Sequence, residues 1–308
     1  MASEVLNKAG RQFNEQITAA LRGLPVPDPL PQRLYHFTDT SGLVGVLQSQ
    51  SLWASLATSL NDRSEIEYAL GLARGIIDRR EVGGNPAFLE AVALHLDPRR
   101  ALGPGSFAQG AYVCSFCTNQ DQSAQWLHYG RSGTGCALTF ASRPLLIPGS
   151  GFLLMPVVYD APQQDRVLRD FLRSMSVTLD RLVEEHPQDE EKVRLLATEC
   201  SALGVSVLAV FLKNLAFMND GEWRLMVADL GVALEGQPTS VPKTMFRCVN
   251  NRVVPYKAVR YDALPLVGIT LGASAALSTD DPGLAVLLTE AMPGQNILVE
   301  KSPVPVRP

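Results

Sequence analysis

The chain has 308 residues, 46% of them hydrophobic and 19% charged, with a formal net charge of -4. That balance can bury one large core or two modest ones. It argues against a broad cationic surface for nucleic acid, while leaving room for a local basic groove. No basic leader with an apolar core and no run of about 18 apolar residues occurs, so a cytoplasmic chain without membrane association is expected. Five cysteines, an odd number without a secretion signal, are expected as reduced thiols.

Val5, Phe13, Ile17, Ala20 and Leu21 recur at near-helical spacing, and Pro25, Pro27, Pro29 and Pro31 then end the helix. An N-terminal helix and a stiff linker over residues 1–31 are predicted, followed by a single domain over 32–308. Residues 34–37 read as a strand, 40–50 as a helix capped by Asp39 or Thr40, and 51–55 as a second strand. A helix is predicted over 64–80, with Ile66, Leu70, Ala73 and Ile77 on its buried face. Strands are predicted at 110–117, 135–140 and 152–159, with a short helix at 123–129. Two long amphipathic helices at about 164–218, parted by His186-Pro187, read as an inserted hairpin. Strands return at 222–228, 253–259, 266–271 and 296–300. This order predicts an α+β fold with interrupted sheets.

No Gly-x-Gly-x-x-Gly follows the first strand and no Walker lysine is present, which argues against the common nucleotide folds. Cys114-x-x-Cys117, His128 and Cys136 have the right ligand chemistry for zinc. Cys114 and Cys136, however, lie in apolar strands where a thiol behaves as a small hydrophobe, and no metal site is expected.

Two polar insertions in strand text stand out. His36 follows Leu34-Tyr35 and precedes Phe37-Thr38-Asp39, and Glu222 lies in Gly221-Glu222-Trp223-Arg224. Each has a plain structural explanation: a capping or core histidine, and a strand glutamate paired with Arg224 or Arg247. Asn61-Asp62 is either an ordinary Asx turn or a ligand-contacting one. In Trp126-Leu127-His128-Tyr129-Gly130-Arg131, the two aromatics three apart suit packing, and Arg131 suits bidentate contact with a phosphate.

Further motifs are Leu52-Trp53-Ala54-Ser55, Ser123-x-x-Trp126-x-x-Tyr129-Gly130, Lys213, Val254-Pro255-Tyr256 and Ser302-Pro303-Val304-Pro305. With the His36, Asn61-Asp62 and Glu222 strings, they make residues 33–306 resemble a widespread bacterial family known only as a domain of unknown function. Arg63 departs from it, since that family often has proline after the Asn-Asp pair. The opening module is similar, more distantly, to ADP-ribosyltransferases of the diphtheria-toxin type, to DarT-like DNA ADP-ribosyltransferases and to RNA 2'-phosphotransferases of the same fold. That resemblance implies an ADP-ribosyltransferase-like split β-sheet core with a helical insertion, and NAD as substrate. His36 and Thr38 would hold the adenosine ribose, Trp53 or Tyr68 would stack on the nicotinamide, and Glu222 would be the catalytic carboxylate acting with His36. Asp220 and Arg224 would lie on the acceptor side, and Asn61, Asp62 and Arg131 would line the cofactor cleft.

The chemistry fits these residue types. Breaking the bond between nicotinamide and ribose develops positive charge on the sugar, which a fixed carboxylate stabilises. Stacking on the cationic ring contributes about 0.5–2 kcal/mol, and a histidine with a hydroxyl turns ribose binding into orientation. The expected activity is ADP-ribosyl transfer from NAD to an unidentified protein, DNA or RNA acceptor, in a bacterial toxin or antiphage defence setting. Two other classes fit the same residues. One is a non-catalytic nucleotide-sensing or interaction module of the same fold that docks through the hairpin. The other is a metal-dependent nuclease or hydrolase using His36 with Asp62 or Glu65. The transferase reading requires His36 and Glu222 to face one cleft, and opposite faces of the sheet would remove its basis.

Overall fold

The run Ala111-Tyr112-Val113-Cys114-Ser115-Phe116-Cys117 is apolar at nearly every position, as expected of a strand covered on both faces. In the computed structural model, which describes residues 2–59, 64–102, 110–146, 152–228, 241–249 and 251–305, this run is the strand on which the sheet converges. The described elements are, in chain order, α1 (Ala2–Arg22), β1 (Arg33–Thr38), α2 (Thr40–Ser49), β2 (Ser51–Leu56), α3 (Ser64–Asp78), α4 (Pro86–His95) and α5 (Pro98–Ala101). There follow β3 (Ala111–Cys117), α6 (Ser123–His128), β4 (Cys136–Ala141), α7 (Ser142–Leu145), β5 (Leu153–Pro156), α8 (Ala161–Glu185) and α9 (Glu190–Ala209). The chain closes with β6 (Glu222–Ala228), β7 (Thr244–Val249), β8 (Arg252–Arg260), β9 (Leu266–Leu271), α10 (Pro282–Ala291) and β10 (Leu298–Lys301). The class is α+β, and no described helix is long and apolar enough to cross a membrane.

One edge of β3 pairs with β6 along its whole length, and β6 in turn pairs with β5. The other edge is shared. β1 reaches it only at Tyr35, opposite Cys117, and β2 only at Ser55 and Leu56, opposite Val113 and Tyr112. Beyond β1 the sheet continues through β4, β9 and β10, and beyond β2 through β8 and β7. Among the described residues, the β3 edge from Cys114 to Phe116 therefore has neither strand beside it, and a split opens there.

Alternation along β3 sorts two cores. Ala111 and Val113 pack with Met226, Ala228 and the helices, whereas Tyr112, Cys114 and Phe116 pack with Leu34, Leu52, Trp223 and α2. α2 starts where Asp39 Oδ1 accepts the Gly42 N–H at 2.8 Å and stops at Gln50 in the left-handed region, φ 48°. Leu43, Val46 and Leu47 are its buried stripe.

The hairpin of α8 and α9 is less an insertion than the middle of the larger core. Phe171, Leu172 and Leu179 of α8 and Val205, Val207 and Leu208 of α9 pack with Ile66, Leu70 and Ala73 of α3 and with Phe13, Ile17 and Leu21 of α1. α1 is thus built into that core rather than appended to it. At the foot of the hairpin, buried Gln164 donates to the carbonyls of Val158 and Lys213 at 2.6 and 2.8 Å and accepts from Tyr68 at 2.8 Å. It closes every polar group there, as a buried amide must.

Phe13 is fully buried. Phe13→Ala is expected to lower the unfolding free energy by about 3–5 kcal/mol in a denaturant titration. A loss under about 1 kcal/mol would mark α1 as peripheral.

Candidate functional site

The open edge of β3 leaves the Ser115 carbonyl without a ladder partner, and His36 supplies one. Its Nδ1 lies 2.8 Å from that oxygen. A carbonyl only accepts, so Nδ1 carries the proton and Nε2 of the neutral ring is left as an acceptor. Burial lowers the His36 pKa below its ordinary 6.5, the Ser115 bond opposes that shift, and the nearby Arg247 guanidinium adds to it. The ring is therefore neutral at pH 7. Phe116 lies 5.7 Å away between ring centroids, and Cys114 Sγ is 3.7 Å from Nδ1.

The wall of the split opposite His36 comes from β2, β7 and β8. The Trp53 and Tyr256 rings lie 5.0 Å apart, and the Arg247 guanidinium sits over both, at 5.4 and 5.7 Å. Arg247 Nη2 donates to Ser55 Oγ at 2.7 Å, while its Nε is buried without a hydrogen-bond partner among the described residues. Burial, the largest influence on it, lowers the Arg247 pKa. α2 closes the end of the split with its small side. A Cβ on Gly45 would stand 2.2 Å from the Trp53 ring, and one on Gly42 would stand 2.0 Å from Thr38 Oγ1. At the rim, Arg131 donates to Asp39 Oδ2 through Nε and Nη2 at 3.2 and 2.9 Å. The chain holds Arg131 there through three successive left-handed residues, Arg131, Ser132 and Gly133, at φ 51°, 52° and 79°. For the two that are not glycine this costs roughly 1–3 kcal/mol each.

Glu222 lies elsewhere. It faces Cys117 across the β3–β6 ladder, and Cys117 faces Tyr35. Directly opposed residues share a face, so Tyr35, Cys117 and Glu222 lie together. His36, one residue on, is turned with Leu34 toward the Cys114 and Phe116 face. The expectation of a common cleft is thus corrected: a side-chain period of two along β1 places the pair on opposite faces. Ser115 links the two: its carbonyl holds His36 and its hydroxyl hydrogen-bonds the Glu222 carboxylate.

Around Glu222 the charges form a closed knot. Lys213 Nζ, on a residue 2% exposed, contacts Glu65, Asp220 and Glu222 at 3.0, 2.8 and 3.1 Å. Arg224 contacts Glu65 at 2.6 Å, both Glu222 oxygens at 2.7 and 3.0 Å, and the Val210 carbonyl at 2.6 Å. Burial alone would raise the Glu222 pKa, but Arg224 and then Lys213 hold it down to about 2. Burial would likewise lower the Lys213 and Arg224 pKa values, yet the carboxylates raise both. Both Glu222 oxygens are committed to cations. A carboxylate so engaged is a fixed counter-charge rather than a free base.

The predicted residues divide accordingly. His36, Thr38, Trp53 and Arg131 surround the split, and Asp220, Glu222 and Arg224 belong to the knot. Tyr68 is corrected from nicotinamide stacking: it lies on α3 one turn from Glu65 and binds Gln164. Asn61 and Asp62 fall outside the described residues. Arg247 is not the partner of Glu222; it belongs to the aromatic wall. The space between the three carboxylates holds Lys213 Nζ, and among the described residues no group of three or more His, Cys, Asp or Glu side chains is set to hold a metal ion. Cys114, Cys117 and Cys136 are buried thiols whose pKa values burial pushes up to about 12, which leaves them unreactive.

Glu222 titrates lower folded than unfolded, so its contribution to stability is present above its ordinary 4.5 and is lost as pH falls from there toward about 2. Glu222→Gln is expected to destabilise by about 3–5 kcal/mol at pH 7, since it leaves buried cations uncompensated. It should also flatten the acid limb of a stability–pH curve, and an unchanged limb would contradict the assignment.

No protein-family model, no curated protein and no solved structure matches this chain.

Proposed function

We propose that the split between β1 and β2 binds an NAD-type nucleotide, and that the protein acts as a nucleotide-sensing module of an ADP-ribosyltransferase-like fold. The observation that carries this reading is Arg247, whose guanidinium lies over Trp53 and Tyr256 with a buried Nε that has no hydrogen-bond partner among the described residues, within electrostatic reach of His36. A cation beside an aromatic wall suits a phosphate next to a flat ring. The acceptor Nε2 of His36 suits a ribose hydroxyl. Sensing rather than turnover is favoured because the carboxylate that transfer would use is saturated by Arg224 and Lys213.

ADP-ribosyl transfer to a protein, DNA or RNA acceptor is the second reading, and one observation favours it. Ser115 touches both His36 and Glu222, so a change at the split would be felt at the carboxylate.

Saturating NAD or ADP-ribose, about 100-fold above Kd, should raise Tm by about 5 °C. Arg247→Gln should weaken binding by about 10- to 100-fold, the worth of a charged hydrogen bond. Affinity should be constant above pH 6.5 and decline below it, as protonation of His36 removes the acceptor. No melting shift with either ligand would defeat the proposal. Label passing from NAD to a macromolecule in a Glu222-dependent way would establish the transferase instead.

A further inference from the structure

The rim of the split holds a charge arrangement that the nucleotide reading leaves unused. Asp39 Oδ1 accepts the Gly42 N–H at the start of α2, and its Oδ2 accepts both Arg131 contacts. Burial would raise the Asp39 pKa; the Gly42 N–H, Arg131 and the more distant Arg247 lower it. One carboxylate thus lies among a helix N-terminus and two guanidiniums, leaving one positive charge in excess. Arg131 is aligned by the left-handed run 131–133, so its position is specified by backbone and not only by its partner. Arg247 brings the second, independent sign of a missing anion, an Nε buried without a hydrogen-bond partner among the described residues.

We propose that Arg131, Arg247 and the α2 N-terminus form a pyrophosphate subsite, and that Asp39 is its built-in counter-anion, setting how tightly an incoming phosphate is held. This rests on the nucleotide reading and deepens it. Asp39 Oδ2 takes up both Nε and Nη2 of Arg131, the pair of donors that a phosphate would engage. Two anions cannot share that guanidinium without repulsion. A phosphate therefore binds only as far as its attraction to the cations exceeds its repulsion from Asp39. The arrangement offsets one of the two guanidinium charges in the ligand-free protein and so weakens phosphate binding.

The test compares the full-length protein with Asp39→Asn, which keeps an oxygen for the Gly42 N–H and removes only the charge. Inorganic pyrophosphate, ADP-ribose and adenosine are titrated calorimetrically at about 50 mM and about 500 mM salt. Asp39→Asn should bind pyrophosphate and ADP-ribose roughly 5- to 10-fold tighter at low salt, with the gain shrinking at high salt and adenosine unchanged. Asp39→Ser, a second uncharged cap, should show the same gain, and adding Arg131→Gln to Asp39→Asn should abolish it. Equal or weaker pyrophosphate binding by folded Asp39→Asn and Asp39→Ser, or an equal gain for adenosine, would overturn the counter-anion role alone. Failure of every variant, wild type included, to bind any of the three probes would overturn both this role and the nucleotide reading.

Discussion

The hydrogen-bonding demand of one strand edge governs this molecule. β3 meets β6 on one side without interruption, but on the other side β1 and β2 take only its two ends. A buried carbonyl left open between them would cost about 1–3 kcal/mol, and only a side chain can reach it. His36 does so for Ser115. The same contact fixes the imidazole tautomer, while burial keeps the ring neutral. Fold and chemistry at the split are therefore one requirement, satisfied by one bond.

The charge knot is the second organising element, and it works by commitment. Glu65 arrives from α3, Lys213 and Asp220 from the segment between α9 and β6, and Glu222 and Arg224 from β6 itself. An apolar cluster of equal volume would hold these pieces together at least as well. What the ions add is register: Glu65, Asp220 and Glu222 each have a cation to meet, so a slip of β6 by one residue would turn Glu222 and Arg224 to the other face and leave Lys213 and Glu65 without them. Tyr159 extends the arrangement, its hydroxyl accepting the Glu222 N–H at 3.1 Å. The knot and the split lie on either side of Ser115, close in space and different in character.

Much of this was legible in the text of the chain. The Asp39 cap, the α2 stripe, the continuous apolar run of β3 and the two long helices follow from local rules that the tertiary structure left intact. α10 and β7 were less visible. β7 lacks a clean alternation, its adjacent Met245 and Phe246 both being exposed, although Asn251 at φ 60°, at the turn into β8, is a residue type suited to that conformation. Without β7, Arg247 was read as a possible partner of Glu222, and the wall of the split went unseen. The pairing of His36 with Glu222 failed for a different reason. Sequence order shows that two strands exist and that each carries a polar residue, but the face each presents depends on a register set by a single bridge, Tyr35 to Cys117. Tyr68 was misplaced because helix periodicity says which residues are buried and not which core receives them.

Gly45 gives the split its width. The Trp53 ring fills the volume where any other residue at position 45 would carry a methyl group. The six-membered end of the indole is therefore seated against α2. Where that ring sits, and with it the surface over which Arg247 lies, is written in α2, so this wall of the split can change through a residue that contributes no side chain to it.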